Sequence, residues 1–314
     1  MATVVRSFAI QGIDGYLVDI EIKMLEGQPS ISIIGLGDQA VKEAAERIQA
    51  AIDESGYVFP KKRVIISLAP SDKKKSGSHF DLAMAVGVLC QNGDIGVKKL
   101  PDYGFIGELS LDGRLRACRG ILPMIISGQK RGIKKIIVPE ANFKEASLVH
   151  GVEILGFYDL TGVIRYLEGK TTGIETHMEV NEKILEESER ILDFKDVKGQ
   201  DELIEAVVLA AAGGHNMLMV GEPGCGKTMI AQRIPTILPE MTEEECLEVT
   251  KIYSISGLLP NEHALMKYRP FRAPHHNASL NALIGGGANA MPGEVSLAHN
   301  GVLFLDELAE FSRR

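Results

Sequence analysis

One octapeptide, Gly221-Glu222-Pro223-Gly224-Cys225-Gly226-Lys227-Thr228, constrains this chain more than any other feature. It fits GxxxxGK[ST] at every fixed position. It lies between an apolar run, Asn216 to Val220 (NMLMV), and a helix-compatible run, MIAQRI. A buried strand, a glycine-rich turn and a helix start, in that order, make a phosphate cradle. The glycines let successive backbone N–H groups curl around phosphate oxygens, and the helix end adds partial positive charge. Lys227 is expected to reach the β- and γ-phosphates and the Thr228 hydroxyl to ligate Mg²⁺, so ATP and Mg²⁺ are the implied cofactors. Cys225 is read as a small side chain that the loop tolerates.

Such a site needs an acid at the end of an apolar strand. Gly301-Val302-Leu303-Phe304-Leu305-Asp306-Glu307 supplies one. Four apolar residues place Asp306 at the strand tip as metal partner, and Glu307 follows as the base that polarises an attacking water. His275-His276 fits a substrate or inter-subunit loop better than a metal site, because adjacent side chains diverge and no acid or cysteine shares ligand spacing. Gly35-Leu36-Gly37 lacks the third glycine of a dinucleotide turn and reads as a tight strand-to-helix connection.

Length allows two domains: 314 residues, 45% hydrophobic and 24% charged, make an ordinary globular composition. No apolar run approaches a membrane span, and the four scattered cysteines form no disulfide scaffold, so a cytoplasmic protein is expected. The net charge of -8 is uneven: residues 1–170 carry 22 Lys/Arg against 20 Asp/Glu, residues 171–314 only 12 against 22. A basic face is therefore confined to the first half, where Lys61-Lys62-Arg63, Lys73-Lys74-Lys75 and Arg114/Arg116/Arg119 are candidates, with a solvated surface as the alternative. Strands are predicted at Ser30–Ile34, Val64–Leu68, Ile136–Val138 and Val152–Phe157. Helices are predicted across Val41–Ile52, capped by Asp38, and across His79–Leu89. The texture changes near Lys170. The reading is a domain over 1–170, a linker over 171–192 feeding a short helix, and a nucleotide-binding domain over 193–314.

Two longer stretches in the second half, PFRAPHHNASLNALIGGG (270–287) and PGEVSLAHNGVLFLDELAEF (292–311), resemble the magnesium-chelatase-like branch of the AAA+ ATPases. In the first half, GELSLDGRLRACRGILP (107–123) and KRGIKKIIVPEAN (130–142) resemble the accessory domain of the YifB/ComM group, which is similar to the Lon-protease domain. The resemblance implies an α/β chain: a Lon-protease-like α+β domain of the ribosomal S5 domain 2-like type, then a P-loop NTPase (AAA+) α/β domain. Only seven residues follow Glu307. They are too few for the further strands, polar sensor, arginine finger and helical lid that the resemblance implies, so that domain is expected to be incomplete.

By the same resemblance, the chain belongs to a homo-hexameric, ATP-driven motor that remodels single-stranded or branched DNA, as in branch migration during transformation and recombination. The Lon-like half tilts the choice toward DNA, because chelatase subunits resemble the ATPase half. Arg269, Arg272, His275 and His276 are candidates for pore or interface positions. Alternatives are a chelatase-like or chaperone-like ATPase acting on a protein or metal-insertion complex, and a nucleotide-binding interaction module without turnover. Peptidase activity is not expected. Lon-type chemistry needs a serine activated by a lysine, and the aligned positions hold His79 and Leu122, with Ser76 and Ser78 nearby.

Overall fold

The computed structural model describes residues 2–97, 99–171, 192–259, 265–287 and 290–311. Most of the linker and the short helix expected to follow it lie outside the described residues. The chain divides into two compact units, residues 1–177 with 254–258, and residues 178–253 with 259–314.

The first unit is built on a β-hairpin. In β1 (Thr3–Gln11) and β2 (Asp14–Leu25) apolar and polar side chains alternate: Val18, Ile20 and Ile22 are buried while Asp19 and Glu21 point away. β3 (Ser30–Ile34) leads through the Gly35–Gly37 turn into α1 (Gln39–Lys42) and α2 (Ala44–Glu54), and β4 (Arg63–Ala69) follows. The predicted single helix is thus two, broken at Glu43. Asp38 caps the first as expected, accepting from the Val41 N–H at 3.0 Å. Next come α3 (Asp81–Asn92), β5 (Tyr103–Phe105), the short pair β6 (Glu108–Leu109) and β7 (Leu115–Arg116), and α4 (Ile121–Lys130). β8 (Lys135–Pro139), α5 (Phe143–Ala146), β9 (Glu153–Phe157) and α6 (Leu160–Leu167) complete the unit.

Seven strands form one mixed, parallel-rich sheet in the order β3-β4-β2-β1-β5-β8-β9. Only β1–β2 and β2–β4 are antiparallel. α3 is buried from Asp81 to Leu89 and forms the centre of the core. It comes so close to the sheet that a Cβ on Gly87 would stand 2.3 Å from Ile22 Cδ1. Among the described residues, Lys75 and Asp81 are fully buried charged side chains; Asp81 accepts from Arg47 Nε at 2.6 Å and Nη2 at 3.1 Å. Burial pushes its carboxyl up to about 6 against the pull of Arg47.

The second unit holds α7 (Asp201–Gly213), the glycine-rich loop and α8 (Lys227–Ala231), then α9 (Glu243–Ser256), whose residues from 254 on are counted with the first unit. After it come β10 (Phe271–Arg272), α10 (Leu280–Ile284), the hairpin of β11 (Gly285–Gly286) and β12 (Met291–Pro292), α11 (Glu294–Leu297) and β13 (Val302–Leu303). β10 and β13 pair in parallel, and Phe304 N–H extends the ladder to the Arg272 carbonyl at 2.8 Å.

Residues 216–220 depart from the expected buried strand: among the described residues no ladder includes them. Their side chains still alternate. Met217 and Met219 pack on the cluster of Val197, Val207 and Ile230, whereas Leu218 and Val220 are 75% and 89% exposed. Among the described residues the run thus keeps a strand's side-chain alternation without a hydrogen-bonded ladder. No helix among the described residues is long and apolar enough to cross a membrane.

Candidate functional site

The phosphate loop turns into α8 at Gly226, whose φ of 92° lies in the left-handed region that side chains with a Cβ disfavour. The reversal it makes places Lys227 and Thr228 at the helix start. Lys227 Nζ reaches back over the loop, donating to the Gly221 carbonyl at 2.8 Å and the Glu222 carbonyl at 2.9 Å, with Cys225 Sγ at 3.5 Å. It therefore spans the loop that the phosphates are expected to occupy. Glu222, Pro223 and Gly224 form the exposed outer arc, and Cys225 is exposed as well.

The acidic strand end arrives from the other side of the sequence. Thr228 Oγ1 donates to Asp306 Oδ2 at 3.4 Å across 78 residues of chain. Glu307 follows in the left-handed region, φ 53°, and its own N–H donates to Asp306 Oδ1 at 3.0 Å. Thr228, Ala273, Pro274, His275, His276, Phe304, Asp306 and Glu307 line a cavity of about 300 Å³. A hydroxyl and a carboxylate at one wall are hard oxygen donors of the kind Mg²⁺ takes, one or two carboxylates with waters and phosphate oxygens completing its shell. Among the described residues no group of three or more His, Cys, Asp and Glu gathers as a self-sufficient metal site.

From its sequence, His276 reads as one of two histidines in a substrate or inter-subunit loop. Its Nδ1 stands 3.0 Å from Glu307 Oε2. The signal was the paired histidine just after a strand that runs beside the acidic strand, but only the parallel β10–β13 pairing brings them together.

Arg269 and Arg272, candidates for pore or interface positions, are both engaged within the chain. Arg272 makes a bidentate pair with Glu294, at 2.6 and 2.7 Å, and Arg269 donates to the carbonyls of Pro239 at 2.6 Å and Asn300 at 2.7 Å. Both are structural ties around the acidic strand. Arg313 and Arg314 lie outside the described residues.

In the first unit, the positions aligned with a protease's serine and lysine are packed for stability. His79 is 8% exposed, and its Nε2–H donates to the Phe8 carbonyl at 2.8 Å. Burial holds its imidazole down at about 4, against weaker upward pulls from that hydrogen bond, Asp38 and Glu108. Leu122 is fully buried in α4. The Ser78 hydroxyl donates to the Glu108 carboxylate, and the buried Lys75 Nζ donates to the Pro70 carbonyl. Desolvation lowers the Lys75 ammonium below its ordinary value.

Two family models match the chain. One is described as magnesium chelatase, subunit ChlI, over residues 193–314, and the other as subunit ChlI of Mg-chelatase, over residues 20–142. The chelatase likeness thus reaches into the first unit, whereas the motifs alone imply a likeness confined to the ATPase half. The competence protein ComM of Haemophilus influenzae is 40% identical over 312 residues, covering 99% of this chain and 61% of its own length. The YifB protein of Escherichia coli is 41% identical over 317 residues, covering 99% and 60%. Lon protease of Rhizobium meliloti is 26% identical over 149 residues, covering 45% of this chain and 18% of its own. The chain spans about 60% of the length of the curated relatives that match it end to end.

Proposed function

The chain belongs to the magnesium-chelatase-like family that includes ComM and YifB, and we propose that it carries the nucleotide site of an ATP-driven motor that remodels DNA. The observation that carries this reading is the meeting of Thr228 and Asp306 at one wall of a cavity that also holds Glu307. In this reading the Gly221–Thr228 loop and Lys227 hold the phosphates, Thr228 and Asp306 hold Mg²⁺, and Glu307 accepts the proton of the attacking water. Bound Mg²⁺ supplies neutralisation of the phosphate oxygens. Lys227 adds a cation on the same side, so the negative charge that develops in phosphoryl transfer meets fixed positive charge in the loop.

The choice of DNA rests on the end-to-end likeness to a protein named for competence. A homo-hexameric ring, with hydrolysis completed across subunit boundaries, is part of the same proposal. The two chelatase-subunit family models favour a second reading, an ATPase that acts on a metal-insertion complex.

Titration of a fluorescent ATP analogue tests the site. Lys227→Ala is expected to lose most affinity, because a hydrogen bond to a charged group contributes about 1.5–3 kcal/mol. Glu307→Gln is expected to bind ATP and not turn it over. Equal affinity of wild type and Lys227→Ala would remove Gly221–Thr228 from the site. ATP-dependent strand exchange on forked or Holliday-type DNA, measured with the gene's full product, separates the readings. ATP hydrolysis without DNA binding at low salt would overturn the DNA assignment.

A further inference from the structure

The first unit holds a cavity of its own, of about 420 Å³, lined by residues 56–62 with Asn92 and Asp94. That volume falls in the roughly 300–1,000 Å³ range of small-ligand clefts. Its walls begin where two helices end. α2 stops at Glu54, and the segment after it is pinned: the Tyr57 N–H donates to the Ile52 carbonyl and the Phe59 N–H to Asp53 Oδ1, both at 3.2 Å. α3 stops at Asn92, whose Nδ2 donates to Asp94 Oδ2 at 2.9 Å, and the Asp94 N–H donates to the Leu89 carbonyl at 3.0 Å.

The lining combines three kinds of group. Tyr57 and Phe59 are half-buried and packed on the core of the unit, so their aromatic surface is held from below. Val58 between them is 73% exposed, an apolar side chain left in water. Lys61 and Lys62, both exposed, bring positive charge. Lys62 pairs with Glu26 at 3.3 Å, but that carboxylate is 89% exposed, and a pair so wet gives way readily to another anion. Asp94 brings acceptors, since a carboxylate has more acceptor positions than the one bond from Asn92 uses. A nucleotide matches all three: its base has a π-face and N–H donors on its edge, and its phosphate is an anion.

We infer that this cleft takes a splayed nucleotide of single-stranded DNA, its base against Tyr57 and Phe59 and its phosphates on Lys61 and Lys62. The inference rests on the reading of the chain as part of a DNA motor. A duplex keeps its base faces stacked, so an unpaired strand is what presents one. In a chain of net charge -8, a phosphate backbone needs a local basic patch. Lysines are point charges on flexible stems, which suits successive strand phosphates, and Arg63, exposed at the start of β4, extends the run beyond the cleft.

The test measures binding of a fluorescent oligothymidylate, without ATP, by anisotropy across a salt series. It uses the gene's full product as wild type, Lys61→Gln/Lys62→Gln, Tyr57→Leu and Tyr57→Phe, each checked for folding by thermal unfolding. Replacing both lysines should flatten the slope of log K against log salt by about 1.4, about 0.7 for each strand phosphate. Tyr57→Leu keeps an apolar side chain on the core and should weaken binding about fivefold to a hundredfold with the slope unchanged, the value of one base–aromatic stack. Tyr57→Phe retains the ring and should stay within about twofold of wild type. Should Tyr57→Leu fail to fold, irradiation of a 5-iododeoxyuridine oligonucleotide on wild type decides alone, by crosslinking to the peptide that holds Tyr57 and Phe59. Wild-type affinity and slope in the lysine and leucine variants, or crosslinks only outside residues 56–63, would overturn the cleft and leave the DNA reading standing. Competition by thymidine monophosphate as strong as by the oligonucleotide would overturn the strand as its occupant. Failure of the wild type to bind single-stranded DNA at low salt would overturn the DNA reading itself, and this inference with it.

Discussion

His79 makes the stability of the first unit depend on pH in a calculable way. Its imidazole titrates at about 4 in the folded chain because burial disfavours the cation, against 6.5 when exposed. Below pH 6.5 the unfolded chain takes up a proton that the folded chain refuses, so stability falls with pH from 6.5 down to about 4. Above 6.5 the contribution is complete, and below 4 no more is lost. The whole effect amounts to about 3 kcal/mol, and about 2 kcal/mol of it has gone by pH 5. Asp81, raised to about 6, has the opposite sign over an overlapping range, so the net slope of the wild type understates the His79 effect. A difference removes that interference. His79→Gln keeps a donor for the Phe8 carbonyl and cannot titrate. Urea unfolding of the full chain, followed by tyrosine fluorescence at pH 7.5 and pH 5, reports chiefly on this unit, because Tyr16, Tyr57, Tyr103, Tyr158 and Tyr166 belong to it. Wild type should lose about 2 kcal/mol more than His79→Gln between the two pH values. Equal losses would refute the buried neutral imidazole, as would a His79 ring that protonates above pH 5 in an NMR titration of the native chain.

The same region should show no peptidase activity under any nucleotide condition, since neither His79 nor Leu122 offers the nucleophile or the base. Cleavage of casein or a fluorogenic peptide that vanishes in Ser78→Ala would contradict that. Arg272→Ala should destabilise the second unit by about 1–3 kcal/mol, because it strands a partly buried Glu294 without its bidentate partner. Arg272→Lys should recover little, as an ammonium cannot make both bonds at once. A melting temperature unchanged by Arg272→Ala would show that the pair contributes nothing.

Much of the first unit was legible wherever one face of an element is buried. The β-branched runs at 30–34 and 64–68, the helix from 81 and the strands at 135–139 and 153–157 all announce themselves through apolar spacing. The hairpin of β1 and β2 went unread although Val18-Asp19-Ile20-Glu21-Ile22 alternates plainly, because the acidic positions dilute hydropathy when the period is not counted. The break at Glu43 was not legible: the apolar face from Val41 to Ile52 continues straight through it.

The candidate site divides along a physical line. Local structure is written locally: a turn that needs φ near 92° asks for glycine at 226, and Lys227 and Thr228 follow it directly at the helix start. The meeting of Thr228 with Asp306 is long-range, yet its acid could be read because an apolar strand ending in Asp-Glu has few other uses beside such a loop. His276 had no comparable local mark. A histidine becomes a partner of Glu307 only when two strands 30 residues apart in sequence pair in parallel, and Arg269 and Arg272, equally conspicuous in sequence, are drawn by the same pairing into structural bonds. Beside an acidic strand the fold itself supplies the carboxylates and carbonyls that engage conspicuous cations, and sequence alone does not show those bonds.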